Sequence, residues 1–159
     1  MHTLESVVRP VLIEQSAQPV VMIKKMTSMD QLPDVIEQSY MKIMAYLEEK
    51  DVAPSDAPYT AYFNLDMQHL DIEMGFPVSR VLPERGEIKS RIIPQGKVVS
   101  AMYKGPYSEM GPVYDELLIW IADNGFECSG VYYEYYYNSP SDVPESELLT
   151  KIVIPLISE

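Results

Sequence analysis

The chain has 159 residues, 47% of them hydrophobic and 23% charged, enough for one globular core or two small halves. Twelve Lys and Arg against 24 Asp and Glu give a formal net charge of -12. That surface disfavours direct nucleic-acid binding and favours cationic ligands or basic protein surfaces. No apolar run reaches membrane-span length, the start Met1-His-Thr-Leu-Glu5 lacks the regions of a signal peptide, and the lone Cys128 excludes an internal disulfide framework. These features predict a cytoplasmic protein with no membrane partner.

Two extended runs open the chain, Val7 to Glu14 and Pro19 to Lys25, the second carrying β-branched Val20, Val21 and Ile23. Asp30-Gln-Leu-Pro33 predicts a helix start, with Asp30 as cap and Pro33 in the first turn. Ile36, Tyr40, Ile43 and Leu47 then form one apolar stripe, and the helix should run to about Lys50, before the loop Ala53-Pro-Ser-Asp-Ala-Pro58. Tyr59 to Leu65 reads as a strand. Leu70, Ile72, Met74 and Phe76 alternate with Asp71, Glu73 and Gly75, the pattern of a half-buried strand ended by Pro77. A polar connection, Arg80 to Gly86, leads to a short run from Ile88 to Ile93.

The order then repeats. Lys97 to Tyr103 predicts a strand, Lys104-Gly-Pro-Tyr107 a tight turn, and Ser108 the opening of a helix. Val113, Leu117, Trp120 and Ile121 share one face of that helix, which Asn124-Gly125 stops. Gly130 to Asn138 is a Tyr-rich strand, and Leu149 to Ile157 a last strand with Pro155 near its end. The halves overlay on three landmarks: Pro33 on Pro112, Tyr59–Asn64 on Tyr133–Asn138, and Phe76-Pro-Val78 on Ile154-Pro-Leu156. The fold class expected is α+β, a duplicated strand–helix–strand–strand module within a single domain over 1–159. Its modules span about 7–79 and 86–157.

One acidic residue stands out. A strand has side-chain period two, so Tyr132, Glu134 and Tyr136 share one face, while Val131, Tyr133, Tyr135 and Tyr137 share the other, the natural core face. Glu134 is then either a solvated residue of an outer face or a carboxylate lining a cavity among rings. In the overlay Thr60 takes the place of Glu134 and Tyr62 that of Tyr136, so the charge comes from the second half only.

The run Ile93-Pro-Gln-Gly-Lys-Val-Val-Ser-Ala-Met-Tyr-Lys-Gly-Pro-Tyr107, the helix ending Leu118-Ile-Trp-Ile-Ala-Asp-Asn-Gly125, Tyr133-Glu-Tyr135 and the end Leu148 to Leu156 resemble the GyrI-like small-molecule-binding superfamily. The resemblance covers the chain from about Val7 and is more specific in the second half. Met26-Thr-Ser-Met29 stands where the family often has a second Gly-Pro-Tyr-like turn. The same domain is the effector-binding module of multidrug-responsive bacterial transcription activators. This chain resembles the stand-alone members, some of them gyrase inhibitors and others hydrolases of cyclopropane-bearing natural products.

The resemblance implies two modules about a pseudo-twofold axis, a ligand cleft between their sheets, and a strand Glu, carried onto Glu134, that meets cationic or polarised ligands. Tyr136 and Tyr62, by strand parity and matched position, and Tyr132, by strand parity, are ligand candidates beside it; each of Tyr136 and Tyr62 is equally a packing residue. Tyr107, after Gly105-Pro106, either faces the cleft or staples the helix entrance. The function expected is binding of a small hydrophobic, cationic or polarised molecule, for drug sensing or sequestration. The alternatives are a cyclopropane hydrolase with Glu134 as its acid–base group, or a protein-interaction module for gyrase or a regulator. No cofactor is implied. His2 and His69 stand apart from any Cys or spaced carboxylate pair, so no metal site is predicted. Cys128 lacks a basic neighbour and reads as inert, and Trp120 reads as core.

Overall fold

The computed structural model describes residues 9–64, 66 and 68–157. In chain order the elements are β1 (Val11–Gln15), β2 (Gln18–Thr27), α1 (Leu32–Glu49), β3 (Tyr59–Tyr62), β4 (Leu70–Pro77), β5 (Lys89–Ile93), β6 (Gly96–Lys104), α2 (Gly111–Asp123), β7 (Tyr132–Tyr136) and β8 (Leu149–Pro155). Short 3-10 turns at Tyr107–Glu109 and Glu145–Glu147 precede α2 and β8. The start of the first predicted strand, Val7 and Val8, and the end of the third, Leu65, lie outside the described residues, as does His2. No helix among the described residues is long and apolar enough to cross a membrane.

The chain forms two compact units, one from Ser16 to Gln95 and one from the residues up to Gln15 together with those from Gly96 onward. The Ser16–Gln95 unit contains β2-α1-β3-β4 and closes its antiparallel sheet in the order β3-β4-β2-β5. The other contains β6-α2-β7-β8, with sheet order β7-β8-β6-β1. The fold is therefore α+β, with a duplicated strand–helix–strand–strand module. Neither outer strand pairs with the strand that follows it: β1, which runs directly into β2, pairs instead with β6, and β5, which runs directly into β6, pairs with β2.

Register makes the duplication residue-specific. Val20 faces Pro77 as Val98 faces Pro155. Thr60 faces Met74 as Glu134 faces Ile152, and Tyr62 faces Ile72 as Tyr136 faces Thr150. Thr60 and Glu134 thus occupy one position of the module, as the sequence overlay predicts.

The helices begin differently from expectation. Ser28 and Met29 carbonyls accept the Gln31 and Leu32 amides at 3.1 and 3.3 Å, so a turn leads into α1. Gln31, not Asp30, holds the cap position, and no side chain bonds there. Pro33 lies in the first turn, where its missing N–H costs nothing. In the second module Ser108 falls in the 3-10 turn, and α2 begins at Gly111. Gly125, at φ 79, ends α2 in the left-handed conformation predicted for it. Ile43, Tyr46 and Leu47 of α1 pack on Val21, Ile23 and Phe76. Val113, Leu117 and Ile121 of α2 pack on Val99, Ala101, Ile152 and Ile154. Each fully buried Leu or Ile contributes roughly 1.5–3 kcal/mol.

The sheet face of the Ser16–Gln95 unit turned away from α1 holds a buried carboxylate, Glu73, 1% exposed. The Tyr59 hydroxyl donates to its Oε2 at 2.6 Å, and Arg91 donates to the same oxygen through Nε at 3.1 Å and a terminal nitrogen at 2.9 Å. Gly75, paired with Tyr59, makes this possible. A Cβ at Gly75 would lie 2.7 Å from both the Tyr59 hydroxyl and the Val21 carbonyl. The carbonyl belongs to the sheet and cannot yield. Gly75→Ala is expected to destabilise the fold by roughly 1–3 kcal/mol, the usual cost of overpacking, with a lower urea midpoint at unchanged m-value. A variant as stable as the parent would show that the close approach is not required.

Candidate functional site

Three rows of side chains cross the α2-facing side of the β6–β8–β7 sheet. Cross-strand partners share a face, so Tyr103, Thr150 and Tyr136 form one row, and Ala101, Ile152 and Glu134 the next. Val99 and Ile154 continue the third, where Tyr132 packs against the same cluster. Glu134 therefore points to the side covered by α2. The Val131–Tyr137 set, expected to be the core face, is the reverse face: Tyr133 and Tyr135 are buried there, Tyr137 is exposed, and the Lys151 ammonium stands 4.8 Å from the Tyr135 ring and 5.9 Å from that of Tyr137. The period-two pattern tells which residues share a face, and helix packing decides which face takes α2.

Glu134 is buried, 9% exposed, and both its oxygens accept tyrosine hydroxyls: Tyr114 donates to Oε2 at 2.6 Å and Tyr136 to Oε1 at 2.8 Å. The surrounding rings lock together edge to face. Tyr107 and Tyr136 have centroids 5.7 Å apart, and Tyr114 and Tyr132 are 5.9 Å apart at 87°. Burial pushes the Glu134 carboxyl above the usual carboxylate range, against the opposing pull of the Tyr114 and Tyr136 hydrogen bonds. The Tyr107 hydroxyl is also raised, first by burial and then by the Glu134 charge.

The structure thus brings together Glu134, Tyr132, Tyr136 and Tyr107. Tyr62 stands in the other unit, half-buried against Leu70, Ile72 and Met74. At the Thr60 position that unit has a neutral pair, with the Tyr40 hydroxyl 3.0 Å from Thr60 Oγ1. Tyr114 is the site residue that strand periodicity does not disclose. It stands three residues before Leu117 and seven before Ile121, the spacing of the buried stripe of α2, and that helical register is the signal that finds it. Trp120 is half-buried against the α2 cluster. Tyr103, buried, donates to the Pro106 carbonyl at 2.7 Å and so holds the Gly105-Pro106 turn that delivers Tyr107. The Cys128 thiol is raised by burial and by Glu127, the opposite of what a nucleophilic thiolate needs. Among the described residues no three metal-ligating side chains cluster.

The two buried carboxylates differ in one respect. Glu73 has Arg91 as counter-ion at 2.9 Å, whereas among the described residues no Lys, Arg or His pairs with Glu134. Lys151 is in the neighbouring strand but on the opposite face. A separate cavity of about 310 Å³ lies in the Ser16–Gln95 unit between α1 and the Arg85–Ile88 bridge. Its charges are already matched, Lys42 with Glu87 and Arg85 with Glu49. Glu134 meets two hydroxyl donors among aromatic and aliphatic side chains, and no positive charge among the described residues pairs with it.

The match to a family model shows the class of protein. The model for the GyrI-like small-molecule-binding domain covers residues 9–157. The chain belongs to that family, and it is a small-molecule-binding domain. Solved structures share the fold at low identity. EcmrR, in the EcmrR–DNA complex of EcmrR-RPo, superposes with a TM-score of 0.83 at 20% identity over 98% of this chain and 59% of that one. The chain thus spans under two thirds of the EcmrR chain. A hydrolase from Listeria innocua matches at TM-score 0.72 and 14% identity, covering 94% of this chain and 92% of its own. SAV2435, in a complex with tetraphenylphosphonium, matches at 0.69 and 10% identity, covering 95% of each. No curated protein matches the sequence.

The raised carboxyl has a testable sign. Because the folded-state value of Glu134 lies above its unfolded one, this residue contributes stability that is fully present below the unfolded carboxylate range and lost as pH rises through the folded value. Ligand-free Glu134→Gln lacks that loss. The thermal midpoint of the parent, measured against the variant, is expected to fall as pH rises from about 4 toward neutrality. A constant difference across that range would mean that Glu134 does not carry a raised pKa.

Proposed function

We propose that the protein binds small hydrophobic cations at Glu134, with Tyr107, Tyr114, Tyr132 and Tyr136 as the aromatic wall. The observation that carries this reading is a buried carboxylate with two hydroxyl donors and no cationic partner among the described residues. An isolated buried charge is costly, and a ligand cation relieves that cost. Each ring adds roughly 0.5–2 kcal/mol of cation–π attraction where the site excludes water. The net charge of -12 raises the local concentration of cations around the protein. The complex of SAV2435 with tetraphenylphosphonium, on the same fold, supports the same class of ligand. Such binding serves drug sensing or sequestration.

Titration calorimetry with tetraphenylphosphonium tests the assignment. Glu134→Gln is expected to weaken binding by about tenfold or more, the equivalent of roughly 1.4 kcal/mol. Affinity in the parent is expected to rise with pH as the raised carboxyl ionises, and to be flat with pH in the variant. Equal affinity in both proteins would remove the carboxylate from recognition. Tyr114→Phe deletes one donor that favours the charged form, so it should weaken neutral-pH binding by roughly 3- to 10-fold, the worth of about 1 kcal/mol. Unchanged affinity in Tyr114→Phe would mean that this hydroxyl does not support the anion.

A second reading is hydrolysis of a strained electrophile. It is favoured by the raised Glu134 carboxyl in hydrogen-bond contact with two phenols, an arrangement suited to proton transfer. Mass-spectrometric detection of water addition to an electrophilic cyclopropane, abolished in Glu134→Gln, is the outcome this reading requires. It stands second because, apart from the two phenols, no His, Lys, Asp or Glu among the described residues hydrogen-bonds with Glu134.

A further inference from the structure

Among the described residues two buried side-chain polar atoms have no hydrogen-bond partner, Glu73 Oε1 and Thr150 Oγ1. Glu73 already satisfies its charge through Arg91 and Tyr59. Thr150 has no such account. It is 0% exposed and lies between Tyr103 on β6 and Tyr136 on β7, one row from Glu134 on the same face of the sheet. The hydroxyls of both row neighbours bond elsewhere, Tyr103 to the Pro106 carbonyl and Tyr136 to Glu134.

The duplicate module carries no hydroxyl at the matched position. The position facing Tyr62 as Thr150 faces Tyr136 is Ile72 in the other unit, also 0% exposed. An aliphatic side chain therefore suits this place in the module. A buried hydroxyl with no partner is destabilising, and a threonine here loses what an isoleucine gains. The module that carries the charged residue also carries the unpaired hydroxyl.

We propose that Thr150 is the polar subsite of the Glu134 ligand site. It takes a hydroxyl, ether, carbonyl or amide group borne on the same molecule as the cationic centre, and so determines specificity among cations. This rests on the binding reading given above. Because Thr150 is 0% exposed, a ligand reaches it only when a neighbouring ring turns aside, and we assign that movement to Tyr107, 41% exposed on its 3-10 turn and edge-on to Tyr136. A hydrogen bond formed there satisfies the orphan hydroxyl without disturbing the two phenol bonds to Glu134.

The test uses two matched cations, (2-hydroxyethyl)triphenylphosphonium and n-propyltriphenylphosphonium, which differ only in OH against CH3. Calorimetry is run on the full chain and on Thr150→Val, which removes the hydroxyl and keeps the branched shape. The parent is expected to prefer the hydroxyethyl compound. In Thr150→Val that preference should fall by about tenfold, with affinity for the propyl compound unchanged. The thermal midpoint of ligand-free Thr150→Val should equal or exceed that of the parent. No preference in the parent, or the same preference in both proteins, overturns the subsite. A lower midpoint in ligand-free Thr150→Val also overturns it, because the hydroxyl would then serve the fold. If the parent binds neither phosphonium, the cation-binding reading itself fails and the subsite with it.

Discussion

A buried carboxylate with no counter-ion among the described residues is the constraint around which the Glu134 module is built. Desolvation favours the protonated acid, while the Tyr114 and Tyr136 hydroxyls favour the anion. Burial is the larger of these influences, and a nearby positive charge would act with the two hydroxyls in favour of the anion. Glu73 shows the alternative solution in the same chain, where Arg91 supplies the charge from within and the site is closed. A completed ion pair fixes structure, and an uncompleted one leaves a binding energy to be realised by something else.

The duplicated module works as an internal control. Identical positions carry Thr60 or Glu134, Ile23 or Ala101, and Ile72 or Thr150, while backbone register is shared throughout. In the Ser16–Gln95 unit the choices are neutral or aliphatic, and the Tyr40–Thr60 pair is satisfied within the unit. In the other unit the choices place a carboxylate in the row of Ala101, whose small side chain adds little bulk there, and a hydroxyl in the next row. Scaffold and site are thus separable. Pro77 and Pro155, the helix stripes and the sheet orders belong to the scaffold, and the differences between modules belong to the site.

The aromatic wall gives this site its adaptability. Tyrosines present large contact area with few rotatable bonds, and edge-to-face pairs hold them without fixing a single ligand shape. Tyr107 is the most exposed of them, at 41%, on a 3-10 turn whose start the Tyr103 bond to Pro106 holds. On the proposed reading, recognition depends on charge and ring edges more than on directional contacts, which suits a family of small-molecule binders.

Much of this was legible from residue order alone. Period-two alternation located the strands and set Tyr132, Glu134 and Tyr136 on one face, helical stripes located α1 and α2, and the overlay placed Thr60 opposite its counterpart Glu134 in the module. Local chemistry dictates these features, because side-chain period and turn residues act over a few positions. Three things were decided only by tertiary structure. The first is which sheet face takes the helix, since β7 is aromatic on both sides and alternation cannot rank them. The second is the assignment of β1 and β5 to the sheets of their non-adjacent modules, which depends on long-range pairing. The third is the partnership of Glu134 with Tyr114, twenty residues away on α2, and a Thr150 hydroxyl with no hydrogen-bond partner among the described residues. A sequence shows that a carboxylate lies among tyrosines, but whether it is buried, bonded and lacking a counter-ion depends on packing between elements that residue order does not specify.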